Sequence, residues 1–259
     1  MEKEILIFGH KNPDTDSICS AMVKERLNKK NGHDSSVAVR LGNINKETQY
    51  VLNYLNLEAP ELKEEVAEGQ KVIMVDHNEF NQSIKGIEKA KILGVVDHHR
   101  IANFETSDPL YYTARPYGCT STILFQDFKG KGIEINREEA ILMASAIISD
   151  TLLLKSPTTT KHDEKALEEL EKIAGIDIKE YGLEMLKAGT DLDDFTAKEL
   201  INLDAKELDK NGIKFVIGQV NTVDIPSVLE RQEELEKAIE EELKEKELAL
   251  FVLAITDIL

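Results

Sequence analysis

The chain has 259 residues, of which 41% are hydrophobic and 31% charged, and its formal net charge is −17. This composition indicates a globular protein of one large or two medium domains and excludes a disordered chain. The acidity argues against long nucleic acids as partners, because these are usually bound by a basic face, but small phosphates are not excluded, since bound cations can invert the local field. No apolar run is long enough to cross a membrane, and we expect Cys19 and Cys119 to be reduced thiols of a cytoplasmic protein.

Strands and helices alternate along the first part of the chain. Short apolar runs rich in Val and Ile predict parallel strands that are buried on both faces. The strands are predicted at residues 4–8, 35–42, 71–76 and 90–97, and the helices at 17–30, 45–55, 117–128, 136–150 and 161–175. Thr160 and Asp163 form a capping-box pattern at the start of the last helix. The alternation predicts an α/β domain with a doubly wound, mainly parallel sheet, whose site lies beyond the carboxyl ends of the strands.

Residue types that bind metals follow several of these predicted elements. The first loop, "GHKNPDTDS", carries three of them, two strands end in aspartate, and the helical stretch "ASAIISD" ends in a further aspartate. The candidate ligands are His10, Asp14, Asp16, Asp76, His98 and Asp150. Each aspartate alone has a plainer explanation, because such residues often cap the next helix; in the first loop, Asp16 or Ser17 could be that cap.

Several carboxylates at one sheet edge predict bound cations. Burying them without partners would cost on the order of tens of kcal/mol in a low-dielectric site. Divalent ions remove that cost, and one carboxylate can bridge two ions roughly 3.5–4 Å apart, as in phosphate-transfer enzymes. We expect Asp97 to orient its neighbours rather than bind metal, and we assign no role to His77.

Four motifs, "GHKNPDTDS", "MVDHNE", "VVDHH" and "IISDT", occur in an order and at spacings that resemble the manganese-dependent family II inorganic pyrophosphatases. These belong to the Asp-His-His (DHH) phosphoesterase superfamily, and the resemblance covers essentially the whole chain. It implies hydrolysis of pyrophosphate to two phosphates by a water molecule between two metal ions. The implied ions are Mn²⁺ or Co²⁺, with Mg²⁺ bound together with the substrate. Carboxylate and imidazole ligands also suit Fe²⁺ and Zn²⁺, and the sequence does not rank these metals.

The resemblance also implies individual roles. One metal would be held by His10, Asp14 and Asp76. The second would be held by Asp16, Asp76, His98 and Asp150, with Asp76 bridging the two ions. Catalytic roles fall to His99 and Asp16, and His99 would face the substrate as a proton donor or phosphate contact. Because neighbouring side chains of an extended stretch alternate, we expect His98 and His99 to point to opposite sides.

A second domain is predicted at residues 189–259, after a catalytic DHH domain at residues 1–188. Two strands around Asn211-Gly212 predict a hairpin, residues 225–247 a single long charged helix, and residues 248–255 a buried strand. The region resembles a smaller, incomplete α/β domain of the DHHA2 type. "DAK", which ends in Lys206, resembles the pattern with which the family places a lysine over the substrate, so Lys206 is the substrate-binding candidate; the alternative is a solvent lysine on an edge strand.

Two other functions stay open. One is a phosphodiesterase of the same superfamily that acts on short oligonucleotides or cyclic dinucleotides. Its usual first loop resembles "NPDGDA" rather than the "NPDTDS" found here, and a chain with 5% aromatic residues and no Trp offers few platforms on which bases could stack. The other is a metal-binding regulatory protein, or a catalytically impaired fragment.

Two further expectations concern the ends and the assembly of the chain. The resemblance suggests a homodimer formed through the N-terminal sheet. We also expect the chain to be incomplete, because it stops at "ALFVLAITDIL" and has no Lys or Arg after Lys246. Relatives in the family continue to an Arg-Lys-Lys cluster that clamps the substrate, and arginine suits phosphate oxygens. The chain is therefore expected to bind metal but to hydrolyse pyrophosphate poorly.

Overall fold

A computed structural model of the protein describes residues 4–259. The chain forms two units, one that extends to Met185 and one that comprises Leu186–Leu259.

The first unit is built on a parallel sheet. Its strands are β1 (Ile5–Phe8), β2 (Ser36–Arg40), β3 (Glu61–Leu62), β4 (Lys71–Val75), β5 (Lys91–Asp97) and β6 (Tyr111–Ala114). They are hydrogen-bonded in the order β3-β2-β1-β4-β5-β6, and every neighbouring pair is parallel. The short β3 and β6, at the two edges, are the strands that the sequence did not predict.

Helices accompany this sheet. They are α1 (Thr15–Lys30), α2 (Lys46–Leu55), α3 (Thr120–Lys131), α4 (Arg137–Thr151), α5 (Lys161–Ala174) and α6 (Ile178–Gly189), the last of which crosses the boundary between the units. The first five are the helices that the sequence predicts, and α6 was not predicted. The predicted capping box at the start of α5 is confirmed, with Thr160 and Asp163 bonded in both directions. The N-cap of α1 is Asp14 rather than Asp16 or Ser17, because its carboxylate accepts the Ser17 N–H. The prediction of a doubly wound α/β domain is confirmed.

The strand order reverses between β1 and β4. The chain runs from β1 to β2 on one side and returns to β4 on the other side of β1. In sheets of this kind the loops leave the two central strands in opposite directions, and a crevice forms beyond their carboxyl ends. Apolar side chains such as Leu6, Phe8 and Met74 pack beneath this edge in the core. The fold therefore provides a rigid base for the loops that follow β1, β4 and β5.

The second unit has a small mixed sheet. Its elements are α7 (Ala197–Leu200), β7 (Asp204–Lys210), β8 (Ile213–Thr222), α8 (Ile225–Leu229), α9 (Gln232–Glu245) and β9 (Leu250–Asp257). β7 pairs antiparallel with β8, and β8 pairs parallel with β9. Asn211 and Gly212 both have positive φ, 58° and 79°, which is the geometry of the predicted hairpin turn.

The prediction of one long helix in the second unit is wrong. The chain leaves the helical path between α8 and α9, at Glu230 and Arg231. The guanidinium of Arg231 donates to the carbonyl oxygens of Leu192 at 3.0 Å and Phe195 at 2.8 Å. The break therefore serves contacts with residues distant in sequence, which a helical periodicity does not reveal.

Two expectations from composition also have a structural counterpart. Cys19 and Cys119 are both buried and free, as expected. Within the part of the chain that the structure describes, no helix has the length and apolarity needed to span a bilayer.

Candidate metal centre

The loop after β1 places a histidine and an aspartate side by side. Asp14 caps α1, and its second carboxylate oxygen lies 3.3 Å from His10 Nε2. Gly9 makes the approach possible, because a Cβ at that position would lie 1.8 Å from the Ser17 hydroxyl oxygen. The packing of the loop on the first turn of α1 thus holds both potential ligands at the mouth of the strand.

Asp76 lies at the centre of the site. It follows β4, is only 1% exposed and has a left-handed backbone with φ of 59°, which is uncommon for residues other than glycine. Its two carboxylate oxygens face two different imidazoles. Oδ2 is 3.4 Å from His10 Nε2, and Oδ1 is 3.3 Å from His98 Nε2. One carboxylate therefore joins the loop after β1 to the loop after β5.

Asp16 is completely buried and is held by the N-terminus of α3. Its oxygens accept hydrogen bonds from the backbone N–H groups of Thr120 at 2.7 Å and Ser121 at 3.2 Å, and from the hydroxyl of Ser20 at 2.6 Å. Thr120 Oγ1 also donates to Asp76 Oδ1 at 3.2 Å. These donors could not be found from the sequence. Thr120 lies 104 residues from Asp16, and no local pattern connects them.

The six predicted ligands come together in two overlapping groups. His10, Asp14 and Asp76 form one group, and Asp16, Asp76, His98 and Asp150 form the other; within each group the potential ligand atoms lie within 4.8 Å of one another. Asp76 belongs to both groups. Potential ligand atoms of Asp76, His98 and His99 also lie within 4.8 Å of one another and form a third group.

The donor atoms of these groups fit divalent cations. Asp76 Oδ2 and Asp150 Oδ2 are buried and have no hydrogen-bond partner among residues 4–259. Each faces an imidazole nitrogen at longer range, His10 Nε2 at 3.4 Å and His98 Nε2 at 3.6 Å, so a cation bound between oxygen and nitrogen would serve as a common partner for both. Carboxylate oxygens with imidazole nitrogens are a ligand set that suits Mn²⁺ and its first-row neighbours.

The pKa values of the cluster show how strongly its charges interact. Burial opposes protonation of the two imidazoles, but the adjacent carboxylates raise the pKa of His10 to about 10 and that of His98 to about 9. Burial and then the charge of Asp76 raise the pKa of Asp16 to about 6. Burial and then the charges of Asp16, Asp76 and Asp14 raise the pKa of Asp150 well above its usual range. Burial has the same effect on Asp76, yet His10 and His98 hold its pKa below the usual range. Two buried carboxylates, Asp16 and Asp150, thus resist ionisation beside the ionised Asp76, and a bound cation would stabilise all three in the charged form.

The two adjacent histidines have different partners. His98 Nδ1 lies 3.0 Å from the Tyr117 carbonyl oxygen, so that Nε2 faces Asp76. His99 is about half exposed, and its Nδ1 lies 3.0 Å from Asp97 Oδ1. The hydrogen bond that the ring donates to Asp97 is the largest influence on the pKa of His99, which it raises. Asp97 thus orients His99, the kind of role expected for it.

The expectation that these two histidines point to opposite sides is wrong. Their ring centroids are 4.2 Å apart, and Nδ1 of His99 lies 3.7 Å from the same Asp76 oxygen that faces His98. The strand ends at Asp97 and the chain bends through both histidines, so the alternation of an extended strand no longer applies. His77, to which no role was assigned, is buried and its Nδ1 lies 2.9 Å from the Val75 carbonyl oxygen.

A cavity of about 560 Å³ opens onto the ligand groups. Its walls include His99 and Asp150 and also the hydroxyl residues Ser156 and Thr158, which the sequence analysis missed. The chain reaches these two through Leu152–Leu154, with φ of 48°, 52° and 67°. A left-handed backbone costs about 1–2 kcal/mol for each such residue. The sequence gives no sign of this turn, because it contains no glycine.

Lys206, the candidate for substrate binding, lies on β7 of the second unit. It is exposed and pairs in register with Ile217 on β8. β7 is an edge strand of the second sheet, and its side chains are exposed to solvent at nearly every position.

Comparison with known proteins agrees with this architecture. The family model for the DHH family, N-terminal domain, matches residues 4–147, and that for the DHHA2 domain matches residues 183–259. The manganese-dependent inorganic pyrophosphatase of Bacillus subtilis (strain 168) is 57% identical over 260 residues, which cover 100% of this chain and 84% of the relative. A Staphylococcus carnosus (strain TM300) protein, named as a probable manganese-dependent inorganic pyrophosphatase, is 57% identical over 253 residues, which cover 98% of this chain and 82% of the relative.

Solved structures give the same result. The crystal structure of a Methanococcus jannaschii protein, described as a candidate family II inorganic pyrophosphatase, is 41% identical with a TM-score of 0.71, over 97% of this chain and 83% of that one. An exopolyphosphatase-related protein from Bacteroides fragilis, with 14% identity and a TM-score of 0.58 over 92% of this chain and 68% of that one, shares the fold alone. The order of the two domains and the identity along almost the whole chain agree with the resemblance in the sequence motifs. The chain therefore belongs to the family of manganese-dependent inorganic pyrophosphatases, in which a DHH domain is followed by a DHHA2 domain.

Proposed function

We propose that this protein hydrolyses inorganic pyrophosphate to two phosphates at a centre of two Mn²⁺ ions, with Mg²⁺ bound together with the substrate. The observation that carries the proposal is the position of Asp76, whose two oxygens face the two ligand groups. A carboxylate shared in this way is the feature that distinguishes a two-metal site from two separate ones. Relatives named for this activity, at 57% identity, support the substrate.

The six residues of the cluster would divide between two ions. His10, Asp14 and Asp76 would hold the first, and the second would be held by Asp16, Asp76, His98 and Asp150. When bound, such ions neutralise the charge of phosphate oxygens and lower the pKa of a water molecule from 15.7 towards about 7. The carboxylates that hold them are fixed by backbone N–H groups at helix ends, so that little reorganisation accompanies the reaction. Co²⁺ would suit the same ligands.

His99 would act on the substrate rather than hold a resident ion. Its Nδ1 is engaged by Asp97, which leaves Nε2 as the nitrogen available to a molecule in the cavity. The raised pKa favours the protonated ring, which can donate a proton to the leaving phosphate or a hydrogen bond to its oxygen. Asp16 would contribute to catalysis through the ion that it holds.

We assign the metal centre to a catalytic domain at residues 1–188 and substrate binding to a second domain at residues 189–259. Lys206 is the residue of the second domain that would bind the pyrophosphate. Its ammonium group is exposed on β7, and a lysine of this kind serves as a point charge for phosphate oxygens.

We further propose that two copies of the chain associate through the sheet of the first unit, and that the enzyme works in the cytoplasm. β6 is an edge strand, and the ring of Tyr111 on it is 87% exposed. Unpaired backbone groups on such an edge can pair with a second chain. Light scattering of Tyr111→Glu beside the parent protein tests this: the variant is expected to be monomeric, and a parent that is itself monomeric contradicts the dimer.

The activity is tested by phosphate release from four compounds, with Mn²⁺ added back after chelation. Pyrophosphate is expected to be hydrolysed, while ATP, polyphosphate and a dinucleotide are not. Hydrolysis of the dinucleotide alone would point to a phosphodiesterase, and metal binding without any phosphate release would point to a regulatory protein.

A further inference from the structure

Glu47 is a carboxylate near the metal centre that the proposed mechanism does not use. It lies in the first turn of α2, where Asn45 caps the helix by accepting the Thr48 N–H at 2.7 Å. One oxygen of Glu47, Oε1, accepts two hydrogen bonds, from Thr15 Oγ1 at 2.5 Å and from Ser149 Oγ at 2.5 Å. Both contacts are to residues far away in sequence.

The two hydroxyls belong to the segments that supply most of the ligand carboxylates. Thr15 lies between Asp14 and Asp16 at the start of α1, and Ser149 directly precedes Asp150 in the last turn of α4. A single oxygen of α2 therefore connects the start of one ligand-bearing helix to the end of another.

The arrangement around Thr15 fixes the direction of these bonds. The Thr15 hydroxyl has one proton, which it donates to Glu47, so at the 3.2 Å contact with Thr48 the Thr48 hydroxyl is the donor. The first turn of α2 thus contacts Thr15 through two side chains. This chain of bonds places the α1 terminus relative to α2 rather than leaving it free to move.

The position of the Glu47 carboxylate disfavours its ionised form. Burial raises the pKa of Glu47, the two hydroxyls lower it, and the nearby charge of Asp14 raises it further. An acidic side chain in the first turn of a helix gains from the helix dipole without being buried. The dipole therefore does not explain why Glu47 turns towards a centre that is already rich in negative charge.

We propose that Glu47 is a positioning residue of the metal centre: through Thr15 and Ser149 it fixes the separation between the carboxylates of α1 and that of α4, and its charge strengthens cation binding. This inference rests on the proposed two-metal function. Removal of a group that orients a ligand in this way typically lowers metal affinity by about 10–100-fold.

The test compares Glu47→Gln and Glu47→Ala with the parent protein by calorimetric titration of Mn²⁺ after chelation. The glutamine keeps an oxygen that can accept from both hydroxyls and removes only the charge, so we expect a loss of about 10-fold in affinity. The alanine removes charge and acceptor together, and we expect a loss of up to about 100-fold. Saturating Mn²⁺ is expected to restore turnover in Glu47→Gln more fully than in Glu47→Ala.

Two controls separate positioning from general stability. Gln49→Ala changes an exposed residue of the same helix, whose side-chain amide donates to Asn53 on that helix, and it should leave Mn²⁺ affinity unchanged. Ser149→Ala removes one of the two bonds and should weaken binding by less than Glu47→Ala. Adding Ser149→Ala to Glu47→Ala should lower Mn²⁺ affinity little further, because both substitutions act through the same oxygen of Glu47.

A folded Glu47→Ala protein that binds Mn²⁺ as tightly as the parent, even with a lower melting temperature, overturns the inference. If Glu47→Ala does not fold, Glu47→Gln and Ser149→Ala decide, and unchanged affinity in both has the same meaning. Failure of the proposed function is distinguishable, because in that case Asp76→Ala also leaves Mn²⁺ binding unchanged.

Discussion

The two sheets of the molecule differ in how much of their surface is covered. All four residues of β1 are buried, whereas six of the seven residues of β7 are exposed. The ligand cluster follows strands of the covered sheet, and Lys206 stands on the open one. Metal ligands need positions fixed to a few tenths of an ångström, which a packed scaffold provides. A single long lysine can find an anionic ligand from an open strand.

The two units also differ in how firmly their side chains are held. In the first unit Asp16, with no exposed surface, has three hydrogen-bond donors that fix its orientation. In the second unit apolar side chains such as Ile217, Leu250 and Val252 lie on one face of the sheet with about half of their surface exposed. The covered sheet therefore fixes the geometry of the ligand cluster, and the open sheet carries the residue that we propose binds the substrate. Four predictions test this division, from the largest expected effect to the smallest.

Removal of the shared carboxylate is expected to have the largest effect. Asp76→Ala takes away the oxygens that face both His10 and His98, so occupancy by both metals should fall and kcat/KM should drop by about 10⁴-fold or more. Elemental analysis after dialysis measures the metals directly. Asp108→Ala, at an exposed aspartate of the same unit, is the control and should retain both ions. Two tightly bound transition-metal ions in Asp76→Ala would show that the assignment of the site is wrong.

The adjacent histidines are expected to separate metal binding from catalysis. His98→Gln should weaken Mn²⁺ binding, because Nε2 of His98 faces Asp76 and Asp150. His99→Gln should keep the metals and slow turnover by about 10²–10³-fold, the range for loss of a general acid. Metal content and kcat measured on both variants decide the matter. Equal loss of metal in His98→Gln and His99→Gln would contradict the two different roles. The test is demanding because the two rings lie so close together.

Much of the covered sheet and its ligands could be predicted from sequence, for physical reasons. The strands are short runs of buried residues, and parallel strands bring their carboxyl ends to one edge, so that Asp76 and the His98 loop had to lie close together. The cap of α5 and the Asn211–Gly212 turn are local patterns and were predicted correctly.

What could not be predicted depends on contacts between distant residues. The donors to Asp16 come from the start of α3, 104 residues away for Thr120. The bend at His98 and His99 places both rings near Asp76, where strand periodicity predicted otherwise. The break before α9 accompanies contacts of Arg231 with carbonyl groups near residue 195. Propensity and periodicity carry no information about such partners.

On the open sheet, a change at Lys206 is expected to alter substrate affinity rather than the metal centre. Lys206→Ala should raise KM for pyrophosphate by roughly 10–100-fold, because a hydrogen bond to a charged group contributes about 1.5–3 kcal/mol. Its Mn²⁺ affinity should equal that of the parent. Lys210→Ala is a matched control, since Lys210 is also exposed on β7, four residues further on. An identical KM in both variants would mean that Lys206 is a solvent lysine.

The smallest effect is expected on the open face itself, and one substitution made at three places isolates it. Val72 in β4 has no exposed surface and Val216 in β8 is 1% exposed, whereas Val252 in β9 is 42% exposed. Val→Ala deletes two carbon atoms, and where these are buried the lost transfer energy and the remaining cavity should cost about 2–3 kcal/mol. At Val252 the cost should be below about 1 kcal/mol, because solvent already reaches the side chain. Urea titrations of the three variants give the shift in midpoint for each.

The Val216 variant separates the effect of burial from the effect of the unit in which the residue lies. A shift as large as at Val72 means that the second core is as well packed as the first. A shift as small as at Val252 would instead mean that the second unit is loosely packed throughout, and the contrast between the two sheets would then lie in packing as well as in exposure.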